Sequence, residues 1–129
     1  MRGYSVGTAA LALTLDPKWL DNLLSQNRVE GVTQARQGIQ RKIAPSALYL
    51  IATVRGLNRD LQIPVGTALR IAHELWRSPP SSDLGDAAIL QVEGITVQVA
   101  RADVRARVDA ALAEAMEMAP RPRRGRPRR

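Results

Sequence analysis

The chain has no cysteine and no phenylalanine. The first absence excludes a disulfide framework and a thiolate metal site, and it fits a reducing compartment. The second leaves the core to aliphatic residues and alanine, because Tyr4, Trp19, Tyr49 and Trp76 are the whole aromatic complement. No apolar run is long enough to cross a bilayer, and the N-terminus lacks the apolar core and cleavage pattern of a secretory leader. A cytoplasmic protein with no membrane partner is therefore expected. The single histidine, His73, has no cysteine, histidine or paired carboxylate near it in sequence and reads as an ordinary helix residue. With no acid/base pair and no nucleophile constellation in view, the expectation is a protein that is not an enzyme and uses no cofactor or metal.

What is present is positive charge, unevenly placed. At 129 residues one principal domain plus a small appendage is expected, and the formal net charge is +7. Of 19 basic residues, six lie in Pro120 to Arg129 with no acid among them, and the remaining thirteen nearly balance the 12 acidic residues. Residues 1–60 carry eight basic side chains against four acidic ones, whereas 61–119 carry five against eight. Basic ends around an acidic middle suit a chain that presents its N-terminal face and its tail to a polyanion. No helix pairs a basic face with a broad apolar one, so nucleic acid fits better than a membrane surface. Arginine far outnumbers lysine and alanine is abundant, a composition that points to a bacterial genome rich in G and C.

The stretch from Tyr4 to Leu48 sets the organisation. Ser5 is placed to cap a first helix from Val6 to Leu13, with Val6, Ala9, Ala10 and Leu13 on one face. Thr14 and Leu15 form the turn. Asp16 followed by Pro17 starts a second helix, since the carboxylate accepts from first-turn amides and proline suits the first helical position. Leu20, Leu23 and Leu24 face the first helix, which leaves Lys18, Asp21, Asn22, Ser25 and Gln26 outward. After Val29-Glu30-Gly31-Val32 and a polar run, Ile39 to Ile43 alternate strictly, predicting a small hairpin before Ala44-Pro45 opens a third helix. Helix, turn, helix and hairpin in that order outline a winged helix-turn-helix, with Arg36, Arg41 and Lys42 on the wing where phosphate contacts would position the protein. Two short amphipathic helices joined by a turn also occur in many all-helical domains, and the hairpin is what shifts the balance.

Three blocks carry a family resemblance: Tyr4-Ser5-Val6-Gly7 with Ala10, Asp16-Pro17-Lys18-Trp19-Leu20, and Arg41-Lys42-Ile43-Ala44-Pro45-Ser46-Ala47-Leu48. They resemble the winged helix-turn-helix of the mercury-resistance regulator (MerR) superfamily, which also includes small excisionases. The resemblance implies a DNA-binding protein with the second helix in the major groove, where Lys18, Trp19, Asn22 and Gln26 are the candidate contacts. It also implies a phosphate contact for Arg41. The chain departs from the family at Asp21, where an arginine is usual, at Asn22, where an aromatic is common, and at Ile43, which replaces the wing tyrosine.

Beyond the wing, a third helix from Pro45 to about Asp60 buries Leu48, Ile51, Ala52 and Leu57. A fourth, with Pro64 in its first turn, carries Val65, Ala68, Leu69, Ala72, Leu75 and Trp76 on its apolar side. Residues 1–77 would thus be the DNA-binding domain and 78–87, rich in Ser and Pro, a linker. Ala88 to Val92 and Ile95 to Val99 alternate around Glu93-Gly94, a two-residue hairpin turn in which Gly94 supplies the positive φ. Asp103 is placed to cap a last helix reaching about Met118, striped by Val104, Val108, Ala111, Leu112 and Ala115. The expected class is mainly α (α+β), a winged helix-turn-helix followed by a small β-hairpin and helix. A hairpin plus one helix, 88–118, has too little core to stand alone. The expected arrangement is packing on a second copy, giving the homodimer common among helix-turn-helix regulators, with docking back on its own chain as the alternative.

The tail, 119–129, has nothing apolar to bury beyond Ala119 and its prolines, and it repels itself, so it is expected to be disordered alone. Its Arg123-Arg124-Gly125-Arg126-Pro127-Arg128 run resembles the AT-hook, which implies an extended Gly-Arg-Pro core in an A·T-rich minor groove. A generic basic tail acting by counterion release is the alternative. Two function classes remain open. One is a double-stranded-DNA-binding protein associated with the nucleoid, either a bacterial or phage transcriptional regulator or an architectural factor such as an excisionase. The other is an antitoxin-like module that grips a protein partner and binds DNA only to autoregulate.

Overall fold

The computed structural model describes residues 3–33, 41–77 and 87–118. Its elements run α1 (Val6–Leu13), α2 (Pro17–Gln26), β1 (Val32–Thr33), β2 (Lys42–Ile43), α3 (Pro45–Asp60), α4 (Val65–Arg77), β3 (Ala87–Val92), β4 (Ile95–Ala100) and α5 (Arg101–Met118). The chain is mainly helical, with two small antiparallel strand pairs.

Local chemistry sets most boundaries. The Ser5 hydroxyl accepts from Thr8 N–H at 3.1 Å to open α1, and Asp16 Oδ1 accepts from Lys18 N–H at 2.9 Å to open α2 behind Pro17 at its start. Between them Thr14 takes a left-handed φ of 55°, and Leu15 N–H donates to Ala10 O at 2.8 Å, which turns the chain sharply. Leu20, Leu23 and Leu24 are buried as the helical spacing predicts. α3 is the central element: beyond Leu48, Ile51 and Leu57 it also buries Ala47, Leu50, Thr53 and Val54, because neighbours lie on more than one side of it. Ala52, expected to be buried, is half-exposed.

The alternation from Ile39 to Ile43 predicts a strand there; among the described residues Val32 pairs with Ile43 and Thr33 with Lys42, and Ile39 and Gln40 lie outside them. Ile43, fully buried, is held from both sides. Its other edge pairs with Tyr4, each backbone N–H donating to the other's carbonyl at 2.8 Å. Gly31, at φ +90°, makes the approach to α3 possible, since a Cβ there would lie 3.0 Å from both Ala47 Cβ and Ser46 Oγ. Gly31→Ala is expected to cost about 2 kcal/mol through that contact and the unfavourable φ, measured as a lowered denaturation midpoint. A loss below about 0.5 kcal/mol would refute the argument.

The C-terminal hairpin turns at Glu93 (φ 47°) and Gly94 (φ 82°), the double left-handed geometry that matches strand twist. Its register pairs Ala88 with Val99 and Leu90 with Val97 on one face. The last helix begins three residues earlier than expected: Asp103 lies inside its first turn rather than capping it, because β4 passes directly into α5 at the buried Arg101. Of the two packings left open for 88–118, the structure shows docking within the chain. Ala88, Val108 and Leu112 belong to the same buried cluster as Leu20, Leu48 and Leu75, with α5 lying against α1 and α3.

A polar lock reinforces that docking. The Tyr49 hydroxyl of α3 donates to Asp109 Oδ1 of α5 at 2.8 Å, and the Tyr49 ring stacks on Trp76 of α4 at 5.6 Å. Trp76 Nε1–H donates to Thr53 Oγ1 at 2.8 Å, while the Arg105 guanidinium lies 5.8 Å above the indole ring. Desolvation, followed by the bond to the Asp109 carboxylate, pushes the Tyr49 phenol above its ordinary range.

Candidate nucleic-acid interface

The amphipathic pattern of α2 decides what it offers. With its three leucines inward, Lys18, Asp21, Asn22, Ser25 and Gln26 all stand exposed on one side. Asn22 and Gln26 are free of hydrogen bonds to the rest of the described protein, so their amides are available to a partner. Lys18 extends from the first turn with no carboxylate partner among the described residues. Trp19, expected on the same surface, is half-buried against the core, with the Arg55 guanidinium 5.7 Å from its ring centre.

The strand pair sits beside this surface and is fastened to it. Arg41, immediately before β2, donates from Nη1 to Asp21 Oδ1 at 2.6 Å and from Nη2 to Ser25 Oγ at 3.1 Å. The hydroxyl of Ser25 in turn donates to Asp21 O at 2.8 Å. The Arg41 side chain is 20% exposed, so the pair is partly shielded from solvent. The resemblance implies a phosphate contact for Arg41, whereas here two of its donors bind α2 and hold helix and strands in one orientation. Asp21, the departure from the family pattern, is the residue that makes this contact. Lys42 is exposed on β2 next to it. Arg36 and the tail residues Arg123, Arg124, Gly125, Arg126, Pro127 and Arg128 lie outside the described residues.

Sequence reasoning missed two arginines. Arg28, just past α2, and Arg70, on the outer face of α4, are exposed and have no carboxylate partner among the described residues. No spacing signal links them, because they share a cleft only through the tertiary placement of the end of α2 beside α4. His73 is half-exposed near Arg70 in the same cleft. Among the described residues no three His, Cys, Asp or Glu side chains gather in a way that could hold a metal ion, and no helix is long and apolar enough to cross a membrane.

No protein-family model, characterised protein or solved structure matches this chain.

Proposed function

We propose that this protein binds double-stranded DNA as a winged helix-turn-helix of the MerR type, working at the nucleoid as a transcriptional regulator or architectural factor. The observation that carries the reading is the clamp from Arg41 to Asp21 and Ser25. It fixes β1 and β2 beside an α2 whose polar face is wholly exposed, so helix and strand pair reach a ligand as one rigid unit. Lys18, Asn22 and Gln26 then face base edges and backbone in the major groove, Lys42 faces a flanking phosphate, and the arginine tail follows the minor groove. Amide side chains suit adenine edges, which no purely electrostatic contact would distinguish.

Selection from a random duplex pool at two salt concentrations tests the reading. The wild-type chain is expected to enrich a sequence class at both, and Asn22→Ala/Gln26→Ala, which touches no protein contact, is expected to lose the enrichment while keeping salt-sensitive binding. Enrichment that survives the double substitution would remove α2 from the site. Asp21→Asn is a second expected outcome: it loosens Arg41 from α2 and so unfastens the strand pair from the helix, and the enrichment of a sequence class falls while salt-sensitive binding is kept. Thermal stability falls by at most about 1 kcal/mol, as for an exposed ion pair. Enrichment that survives Asp21→Asn would show that the clamp is not what presents the helix and strand pair to the ligand.

A protein partner is the second reading, favoured by the far end of the β3–β4 hairpin. Ile95, beside the turn there, is 64% exposed, which suits contact with a second copy of the chain or another protein. A molecular mass from light scattering at increasing concentration separates a homodimer from a monomer.

A further inference from the structure

Two open clefts flank the end of α2 and share the same residues. One, of about 300 Å³, lies between α2 and the strand pair and includes Arg41 and Arg28. The other, of about 350 Å³, lies between α2 and the outer face of α4 and includes Arg28, Arg70 and Arg77. Asn27 and Arg28 line both, so the two form one continuous track from the clamp to α4. We propose that this track is a second phosphate-contacting surface, in which Arg28 and Arg70 hold the backbone of the same duplex that α2 reads. The inference rests on the DNA-binding reading and extends it to α4, outside the helix-turn-helix and its strand pair.

Charge, shape and chemistry agree on a phosphodiester strand as the occupant. The α4 residues of the track run from Gly66 to Arg77, about 16 Å at 1.5 Å per residue, long enough to pass several successive phosphates rather than one small anion. Among the described residues Arg28 and Arg70 have no carboxylate to release before binding, and guanidinium forks suit phosphate oxygens. Arg77 plays a lesser part. Its guanidinium lies 3.4 Å from Glu30 and 3.8 Å from Glu74, and those carboxylates mark the end of the cationic track. The carbonyl-rich end of α2 would ordinarily repel an anion, and Asn27 offsets this at one of its carbonyls. Both its backbone N–H and its side-chain Nδ2 donate to Leu23 O, at 3.1 and 3.0 Å. An acidic protein segment would meet the same arginines, but the track opens at Ser25 on the polar face of α2 and at Arg41 of the clamp, which favours the duplex.

The test measures binding of the full chain to a mixed-sequence duplex of about 30 base pairs by fluorescence anisotropy across a salt series. Arg28→Ala/Arg70→Ala is expected to lower affinity about tenfold near physiological salt and to make the salt dependence shallower by about two, one for each phosphate contact. Arg107→Ala removes an exposed arginine from α5 and is expected to change neither. Should the alanine pair reduce helicity, Arg28→Gln/Arg70→Gln provides the same reading with the aliphatic stems kept. Unaltered affinity and slope in a folded double variant, or an equal loss in Arg107→Ala, overturns the second surface while leaving α2 in place. A wild-type chain that fails to bind any duplex overturns the DNA reading and this inference together.

Discussion

A chain shortened to end at Met118 is expected to bind duplex DNA about a hundredfold more weakly near physiological salt than the full chain, with a salt dependence shallower by about four to five. The truncation removes six of the 19 basic residues and six units of the net charge of +7, yet none of the buried cluster. Each phosphate neutralised by an arginine releases condensed counterions, so the loss grows as salt is lowered. The Arg124-Gly125-Arg126-Pro127 core adds a sequence component: glycine allows close backbone approach, proline stiffens the extended form, and a narrow A-tract groove concentrates negative potential. The loss should therefore be larger on A·T-rich than on G·C-rich duplexes, while the thermal midpoint stays unchanged. Anisotropy titrations on the two duplexes decide the matter. Equal losses would leave a generic basic tail, and a lowered midpoint would mean that the tail packs on the body.

Arg101→Ala is expected to lower stability by about 3 kcal/mol, seen as a fall of roughly 10 °C in the far-UV circular dichroism melt. Arg101 is 4% exposed at the junction of β4 and α5, and its Nη1 donates to Leu75 O in the last turn of α4 at 3.1 Å. Truncation to alanine removes a charge-assisted bond to a helix-terminal carbonyl and leaves unfilled space where three elements meet. Arg101→Met keeps most of the volume without the donor and should fall between alanine and wild type. A loss of less than about 1 kcal/mol in the alanine variant would show that the carbonyl is satisfied by other means. The effect bears on function indirectly, because α5 braces α1, and α1 in turn supports α2.

The first two helices were legible because their determinants are local. Ser5, Asp16 and Pro17 mark starts through bonds spanning two or three residues, and the leucines of α2 mark its inner face by spacing alone. Glu93-Gly94 located the hairpin turn for the same reason. Asp103 misled, since a good capping residue competes with a tertiary anchor two positions earlier, and the buried Arg101 starts the helix there. The short strand pair was legible only in part: what makes Ile43 central is Tyr4, a partner nearly forty residues away in sequence with no motif to announce it.

The candidate site divides along the same line. The exposed amides of Asn22 and Gln26 follow from helical periodicity, which any amphipathic segment displays in sequence. The engagement of Arg41 by Asp21, the half-burial of Trp19 and the meeting of Arg28 with Arg70 do not. Composition, charge asymmetry, helix starts and turn chemistry were settled by the chain itself, because each depends on residues a few positions apart. Which arginine is held, which is open, and whether the last hairpin and helix dock at home were decided only by the tertiary structure, because those outcomes depend on distances between elements that sequence order does not encode.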